Sequence, residues 1–198
     1  MSLRAKLLTG YSVFIAALVV LGAWSAWRLH DMGKVSRRII SENYDSVVAA
    51  QEMKESLERQ DSAALFALLG AREKASFQLR EHRARFDANF QKAANNITER
   101  GESGAIEAIR QDRDIYYQRF DSFIAKATAE RNLPASGALR DEYFTQLEPQ
   151  FNKLRADCEH LLQLNQRAML AKSEAARGVA QLWFYRTLLM AGILVAAG

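Results

Sequence analysis

The sequence predicts an all-α fold: an antiparallel up-down-up-down four-helix bundle that is continuous with two transmembrane helices. Two apolar segments, Leu7–Leu29 and Leu182–Gly198, flank a long polar stretch. In that stretch apolar residues recur at steps of three and four, and no segment alternates as a strand would. Proline occurs only at Pro134 and Pro149. The glycines of the stretch mark the predicted chain breaks, at Gly70, Gly101, Gly104 and Gly137.

The two apolar segments divide the chain into four predicted regions. These are a cytoplasmic amino terminus (residues 1–6), a first transmembrane helix (7–29), an extracytoplasmic four-helix bundle (30–181) and a truncated second transmembrane helix (182–198). At about 1.5 Å per residue, the first segment crosses a ~30 Å hydrocarbon core. Arg4 and Lys6 precede it with no acidic residue nearby, which favours a cytoplasmic amino terminus and places the bundle outside.

A cleavable signal peptide is the alternative for the first segment. Ala23, Trp24 and Ser25 offer small residues at a plausible cleavage spacing. An anchor is favoured because the apolar run is longer than the core of a signal sequence.

Aromatic residues lie near the predicted outer ends of both spans. Trp24 and Trp27 end the first span, and Trp183 and Tyr185 begin the second. Arg186 lies one turn further in, where its long side chain can reach the lipid headgroups. We therefore predict that these residues meet membrane lipid at the interface.

Four helices are predicted in the central stretch. The first runs over Val35–Leu69 without a break from the first span and carries an apolar stripe that includes Ile40, Tyr44, Val47, Val48, Met53, Leu57, Ala64 and Leu68. The second covers about Arg72–Thr98 and buries Leu79, Phe86, Phe90, Ala93 and Ile97. The third follows Gly104, and the segment Asn132–Gly137 separates it from the fourth.

The fourth helix carries the most regular pattern, the line of core positions of a left-handed coiled coil, which we call the seam. Pro149, near its start, predicts a kink or a late beginning. Asn165 and Lys172 are polar residues within the seam, where such residues fix register at a cost in stability. We therefore predict that they transmit a change in the bundle to the second span. The seam runs into the second span through Leu147, Phe151, Leu154, Cys158, Leu161, Asn165, Ala168, Lys172, Ala175, Val179 and Leu182.

Composition excludes several classes of function. The formal net charge of +4 is small and has no basic block, so a nucleic-acid partner is not expected. Cys158 is the only cysteine, so the domain has no intrachain disulfide. His30, His82 and His160 have neither metal-ligand spacing nor a phosphoacceptor context, and no glycine-rich phosphate loop occurs. We therefore expect no catalytic residue, metal or cofactor in this segment.

Two groups of residues are candidates for ligand binding. Arg59, Gln60 and Asp61 interrupt the apolar stripe of the first helix, and a ligand or a neighbouring helix must satisfy whichever of them are buried. The second group suits a small organic anion, with ordinary core packing as the alternative. It comprises Arg110, Arg113, Tyr116, Tyr117 and Phe120 of the third helix, with Tyr143, Phe144 and Phe151 of the fourth.

The overall plan resembles bacterial transmembrane receptors. Residues 41–65, SENYDSVVAAQEMKESLERQDSAAL, are similar to the first sensor helix of KinB-like, HAMP-containing sensor histidine kinases. This resemblance implies a homodimer in the bacterial inner membrane with a periplasmic sensor. It also implies a downstream HAMP module, a phosphoacceptor-histidine helix pair, an ATP-binding domain and a response regulator as partner. The parent would then be a protein-histidine kinase whose catalytic part lies outside this segment.

Two other functions remain open. A methyl-accepting chemotaxis receptor shares the same plan, and a membrane-tethered scaffold would bind a protein partner outside the cell without a second-span output. The stimulus of either receptor would be a small molecule or a protein.

Overall fold

A computed structural model describes residues 3–129 and 137–197. Its elements are helices α1 (Leu3–Leu68), α2 (Arg72–Ala94), α3 (Glu102–Ala129) and α4 (Gly137–Glu142), a π-helical turn (Tyr143–Leu147) and helix α5 (Glu148–Ala197). We call α4, the π turn and α5 together the fourth helix, because they follow one another without a break. All regular structure in the described residues is helical, which confirms the all-α four-helix prediction.

Not every sequence expectation can be compared with the structure. The segment 130–136, which contains most of the predicted break before the fourth helix, lies outside the described residues. The side chains of Lys6 and Ile40 also lie outside them.

The chain forms two compact units, one containing residues 42–168 and the other containing the residues up to Ser41 and from Met169 onward. In the first unit each helix is antiparallel to the next. Glu52 of α1 contacts Arg85 of α2, and Gln60 of α1 contacts His82 of α2. Residue numbers thus fall along α2 as they rise along α1, which means that the two helices are antiparallel. Helices α2 and α3 are antiparallel by the same criterion, through the pairs Arg83–Asp121 and Asp87–Tyr117. Helix α3 and the fourth helix are antiparallel through Asp112–Lys153 and Lys126–Glu142. Helices α1 and α5 are antiparallel through Lys54–Glu159 and Glu58–Arg155. This is the predicted up-down-up-down order.

The core lies along the centre of these helices and is rich in aromatic rings. Tyr116, Phe120 and Phe123 follow one face of α3, with ring centroids 5.5 and 6.4 Å apart. Phe86 and Phe90 enter from α2 and are almost fully buried. Met53, Leu57, Leu154 and Leu161 complete the centre from α1 and α5. Burial of this apolar surface is the main stabilising contribution of the bundle.

Two glycines make the tight connections. Gly70 (φ +81°) ends α1, where the amide of Ala71 donates to the carbonyl of Phe66 over 2.9 Å and the amide of Gly70 donates to that of Ala67 over 3.0 Å. Gly101 (φ +96°) precedes α3, and a Cβ there would lie 3.3 Å from Cδ1 of Leu164. The side chain of Glu102 stabilises the same turn by accepting from the amides of Thr98 and Glu99.

The π turn explains how Pro149 is accommodated. Proline has no amide hydrogen, and its ring would clash with the carbonyl four residues earlier in a regular α-helix. Immediately before Pro149, the helical turn over Tyr143–Leu147 contains one more residue than an α-helical turn. The amide of Glu148 therefore donates to the carbonyl of Tyr143, five residues earlier. The predicted kink is therefore a wide turn, and the fourth helix continues through it.

Three sequence expectations in the bundle were wrong in detail. Tyr44 and Val48 are exposed, because Asn43, Ser46 and Ala50 occupy that part of the α1 stripe. The polar members bond to the α2–α3 loop, where Asn96 Nδ2 donates to Ser46 Oγ over 2.9 Å and Thr98 Oγ1 donates to Asn43 Oδ1 over 3.3 Å. Helix α2 ends at Ala94 rather than at Thr98, which leaves Ile97 47% exposed.

The predicted seam of the fourth helix holds from Leu147 to Asn165 and fails further on. Val179 and Leu182 are about half exposed, whereas Trp183 and Thr187 are partly covered. The side chains covered by neighbouring residues therefore lie one position after the predicted seam in this part of the helix. The Trp183 ring is covered because it packs edge-on against Trp24, with the ring centroids 5.4 Å apart. Ala175 is also exposed.

Within residues 3–129 and 137–197, no helix combines the length and the hydropathy that a membrane crossing requires. The predicted continuity of the bundle with two transmembrane helices is therefore not supported by the structure.

Candidate functional site

Gln60 lies in the centre of the bundle although it is polar. The α1 stripe passes through Met53, Leu57, Gln60 and Ala64 at steps of four and three, and all of these side chains are fully buried. Gln60 Nε2 donates to the carbonyl oxygen of His82 on α2 over 3.3 Å. Its Oε1 is buried and has no hydrogen-bond partner among the described residues. A buried acceptor without a donor costs about 1–3 kcal/mol, so this position is under strain in the described arrangement.

Asp61, the next residue, connects α1 to the π turn. The phenol of Tyr143 donates to Asp61 Oδ1 over 2.9 Å. Burial raises the pKa of Asp61, the hydrogen bond from Tyr143 opposes that rise, and the charge of Glu148 adds to it. Burial and the carboxylate together raise the pKa of Tyr143, so its phenol stays protonated and remains a donor. This hydrogen bond links α1 directly to the wide turn of the fourth helix.

Tyr116 brings α3 into the same region. Its ring is fully buried among Phe120 and Tyr117, and within residues 3–129 and 137–197 its hydroxyl has no hydrogen-bond partner. Burial, with smaller contributions from the charges of Asp61, Tyr117 and Tyr143, raises the pKa of Tyr116 well above its usual value, while Arg83 opposes this.

On α2, His82 Nδ1 and Arg83 Nε are likewise buried, with no hydrogen-bond partner in the part of the chain that the structure describes. Arg83 does bond to Asp121 over 2.8 Å and stacks on the Tyr117 ring at 4.3 Å. We call the whole group the buried polar layer; it consists of Gln60, Asp61, His82, Arg83, Tyr116 and Tyr143.

The buried polar layer has a definite chemical capacity. It joins α1, α2, α3 and the fourth helix at one level and holds four buried polar atoms without partners in the described residues. Tyr116 and Arg83 offer donors, Gln60 offers an acceptor, and His82 offers either according to its tautomer. Each of these atoms carries the free-energy penalty of a buried polar group without a hydrogen bond. A helix rearrangement that gave them partners would be favoured because it removes that penalty, and so would the binding of a small polar molecule.

The remaining predicted ligand residues lie outside the layer. Arg59 is exposed. Arg113 bonds to Asp114 over 2.8 Å, approaches Asp87 at 3.5 Å and stacks on Phe90 at 4.7 Å.

Arg110 is exposed and lies 3.6 Å from Glu107, and the hydroxyl of Tyr117 donates to Asp87 over 3.2 Å. An organic anion at these arginines would compete with the carboxylates around them, and its binding stays a prediction.

The two predicted transmission residues differ in their surroundings. Asn165 is fully buried. Its Nδ2 donates to the carbonyl of Leu161 in its own helix over 3.1 Å, and its Oδ1 has no hydrogen-bond partner among the residues that the structure describes. Lys172 is half-buried. Asn165 therefore has an unused acceptor facing the core, as expected for a seam residue that limits packing.

In the other unit, the predicted interface aromatics surround a residue that the sequence analysis missed. Arg28 lies 5.8, 5.7 and 4.9 Å from the rings of Trp24, Trp27 and Trp183. Arg186 lies 5.5 Å from Trp183, and Tyr185 is exposed. Arginine stacking on tryptophan is a favourable cation–π contact.

Two members of the buried polar layer, His82 and Arg83, were not predicted as ligand residues. They gave no signal, because their burial arises from the neighbouring helices and not from a pattern on α2. Asp112, which lies outside the layer, was also missed although the sequence carried a signal for it: it interrupts the apolar stripe of α3 between Ile109 and Tyr116, as Gln60 interrupts that of α1. Within the described residues, no group of histidine, cysteine and carboxylate side chains is arranged to hold a metal ion.

Comparison with known proteins agrees with this architecture. Residues 1–180 match a family model described as a four helix bundle sensory module for signal transduction. No significant match to a curated protein or to a solved structure was found. Because the match covers most of the chain and the described helices form the same bundle, the protein belongs to the family of four-helix-bundle sensory modules for signal transduction.

Proposed function

We propose that this chain is the extracytoplasmic sensing module of a bacterial transmembrane receptor and that the buried polar layer is its stimulus-responsive element. The observation that carries the proposal is the set of unpartnered polar atoms that connects all four helices in a family of sensory modules. A stimulus that binds or stabilises one arrangement of these groups would shift the population between two bundle states.

The proposed signal path uses the contact between α1 and α5. Lys54 bonds to Glu159, and Arg155 approaches Glu58 at 3.8 Å, so two ion pairs one turn apart link these two helices. Sliding, rotation or tilting of α5 against α1 would change these pairs and the packing of Asn165. The module acts as a homodimer in this proposal, as receptors of this plan do.

We further propose that the bundle lies in the periplasm and that the residues around 7–29 and 182–198 meet the inner membrane. Arg4 and Lys6 support a cytoplasmic amino terminus. The apolar side chains of Ile15, Val19 and Leu188 are more than half exposed, which suits a lipid surface.

The match to a sensory module favours a chemoreceptor-type output, with a two-component histidine kinase as the second candidate. A protein-binding scaffold is less supported, because it would not need strained polar groups in its core.

Two experiments test the proposal. A reporter enzyme active only in the periplasm, fused at Gly104, should be active, and a cytoplasm-active reporter at the same position should be silent. The opposite result would overturn the topology.

For the sensing role, the chain is joined to the cytoplasmic signalling region of a chemoreceptor and, separately, of a histidine kinase. Gln60→Leu and Tyr143→Phe should each shift the basal output of at least one fusion, and the exposed control Arg59→Leu should not. Unchanged output of both fusions in both variants would refute the role of the layer.

A further inference from the structure

Arg28 of α1 is surrounded by aromatic rings from α1 and α5. Its guanidinium carbon lies 4.9 Å from the centre of the Trp183 ring, and 5.8 and 5.7 Å from the centres of the Trp24 and Trp27 rings. Arg186 approaches the Trp183 ring at 5.5 Å. We call these five residues the arginine–tryptophan cluster. All of them belong to the same compact unit of the chain.

The cluster leaves hydrogen-bond donors of Arg28 available to a ligand. A guanidinium stacks on rings through its flat faces, whereas its N–H groups point outward in its plane. Arg28 Nε is buried and has no hydrogen-bond partner among the described residues. The rings attract the positive charge but do not neutralise it. A phosphate group suits such a site, because two of its oxygens can accept from one guanidinium in parallel.

Trp24 lines two depressions between α1 and α5, which therefore adjoin each other. The first has a volume of about 380 Å³, and Arg28 and Trp183 also line it. The second has a volume of about 810 Å³ and an apolar lining that comprises Ala16, Ala17, Val20, Leu21, Met190 and Ile193. At about 1.5 Å per residue, the apolar lining extends about 18 Å along α1 from Arg28 to Ala16. This length is close to that of one leaflet of hydrocarbon, about 15 Å.

The charge of this unit differs from that of the bundle. Residues 1–41 and 169–198 contain nine lysines and arginines but only two acidic residues, Asp31 and Glu174. Residues 42–168 contain 18 lysines and arginines and 21 acidic residues. The small net charge of the whole chain therefore conceals one basic unit. Basic residues at a bilayer surface attract anionic lipid.

We propose that the arginine–tryptophan cluster binds an anionic phospholipid, with Arg28 and Arg186 at the phosphate group and an acyl chain in the apolar depression. This inference rests on the proposed contact of residues 7–29 and 182–198 with the membrane, and it adds a preference for the charge of the headgroup. A zwitterionic lipid binds less well, because the cation of its headgroup would lie near the two arginines.

A second copy of the chain is a poorer occupant of the same surface. In a two-fold dimer each copy presents the same patch to the other. Arg28 and Arg186 would then face the same arginines of the second copy, and like charges across an interface are unfavourable. An anionic lipid brings the opposite charge. Phe184 and Leu188, which are 63% and 62% exposed beside the cluster, suit contact with acyl chains.

The test uses tryptophan fluorescence, because the three tryptophans of the chain all belong to the cluster. The full chain is reconstituted in vesicles that contain phosphatidylcholine and phosphatidylglycerol in varied ratio, with bromine on the acyl chains of one lipid or the other. Brominated chains quench tryptophan on contact, so the dependence on composition gives the relative affinity. We expect phosphatidylglycerol to bind more than about tenfold better than phosphatidylcholine, since two arginines contribute.

Variants locate the site. Arg28→Gln and Arg186→Gln should each lower the preference for phosphatidylglycerol about fivefold. The control Arg177→Gln removes the same charge from an exposed position of α5 outside the cluster, and it should lower the preference by less than about twofold. Circular dichroism checks that each variant keeps its helix content.

The outcomes separate this inference from the proposed membrane contact. Equal affinity of the wild type for the two lipids would overturn the site while the quenching itself still showed contact with lipid. An equal loss in Arg177→Gln and Arg28→Gln would also overturn it, because the preference would then come from diffuse charge. Absence of quenching by either lipid would overturn both the site and the membrane contact.

Discussion

Replacement of Gln60 by Leu should stabilise the bundle. The substitution removes a buried oxygen that has no donor, which costs about 1–3 kcal/mol, and it loses one long hydrogen bond worth about 1 kcal/mol. Leu has a similar volume and fits the apolar stripe between Leu57 and Ala64. We expect a gain of about 1 kcal/mol in the free energy of unfolding, or about 3 °C in the melting temperature of a chain of this size.

The measurement is thermal and urea unfolding of the full chain in micelles, followed by far-ultraviolet circular dichroism. Arg59→Leu is the matched control, because Arg59 is the exposed neighbour on the same helix and its replacement should change stability by less than about 0.5 kcal/mol. Gln60→Ala should destabilise by about 2 kcal/mol or more, since it leaves a cavity. A loss of more than about 1 kcal/mol for Gln60→Leu would mean that Oε1 is satisfied in solution and that the layer stores no strain.

Other predictions concern single contacts. Tyr143→Phe removes the donor to Asp61 and should lower the free energy of unfolding by about 1–2 kcal/mol. It should also raise the pKa of Asp61 further, because the hydrogen bond now opposes that rise. A carboxyl NMR titration measures this pKa, and an unchanged value would contradict the contact. Gly101→Ala should destabilise the bundle by about 1 kcal/mol or more, because φ is positive there and the new Cβ would lie close to Leu164. Gly104→Ala, where a Cβ would meet no neighbouring atom, should be neutral or stabilising in the same unfolding assay. Cys158 should resist a thiol reagent at about pH 8 until the bundle unfolds, and rapid labelling of the native chain would show that its burial is wrong.

The sequence predicted the four helices well because each one carries an apolar stripe of its own. Gly70 ended α1 as expected, since a left-handed residue there is a local property of the chain. The seam from Leu147 to Asn165 was also predictable from spacing alone.

The candidate site was only partly predictable, because burial of a polar group depends on its neighbours. Gln60 and Asp61 were found by their position in the stripe, and Arg59 was included with them although it faces outward. His82 and Arg83 become buried through contacts with other helices, which one helix cannot reveal. The displacement of the seam at Trp183 likewise depends on the ring of Trp24, more than 150 residues away in sequence.

The wide turn at Tyr143–Leu147 has a consequence for how this domain can change during evolution. The turn takes up one residue more than a regular α-helix of the same span would hold. Leu139 and Leu147 are eight residues apart and both face the core, whereas eight residues of a regular helix would place them about 80° apart around the axis. Deletion of one residue in the turn should therefore restore a regular helix and leave both leucines facing the core, because seven residues make almost two full turns. The wide turn thus lets the fourth helix gain or lose one residue while the parts on either side of it keep their packing.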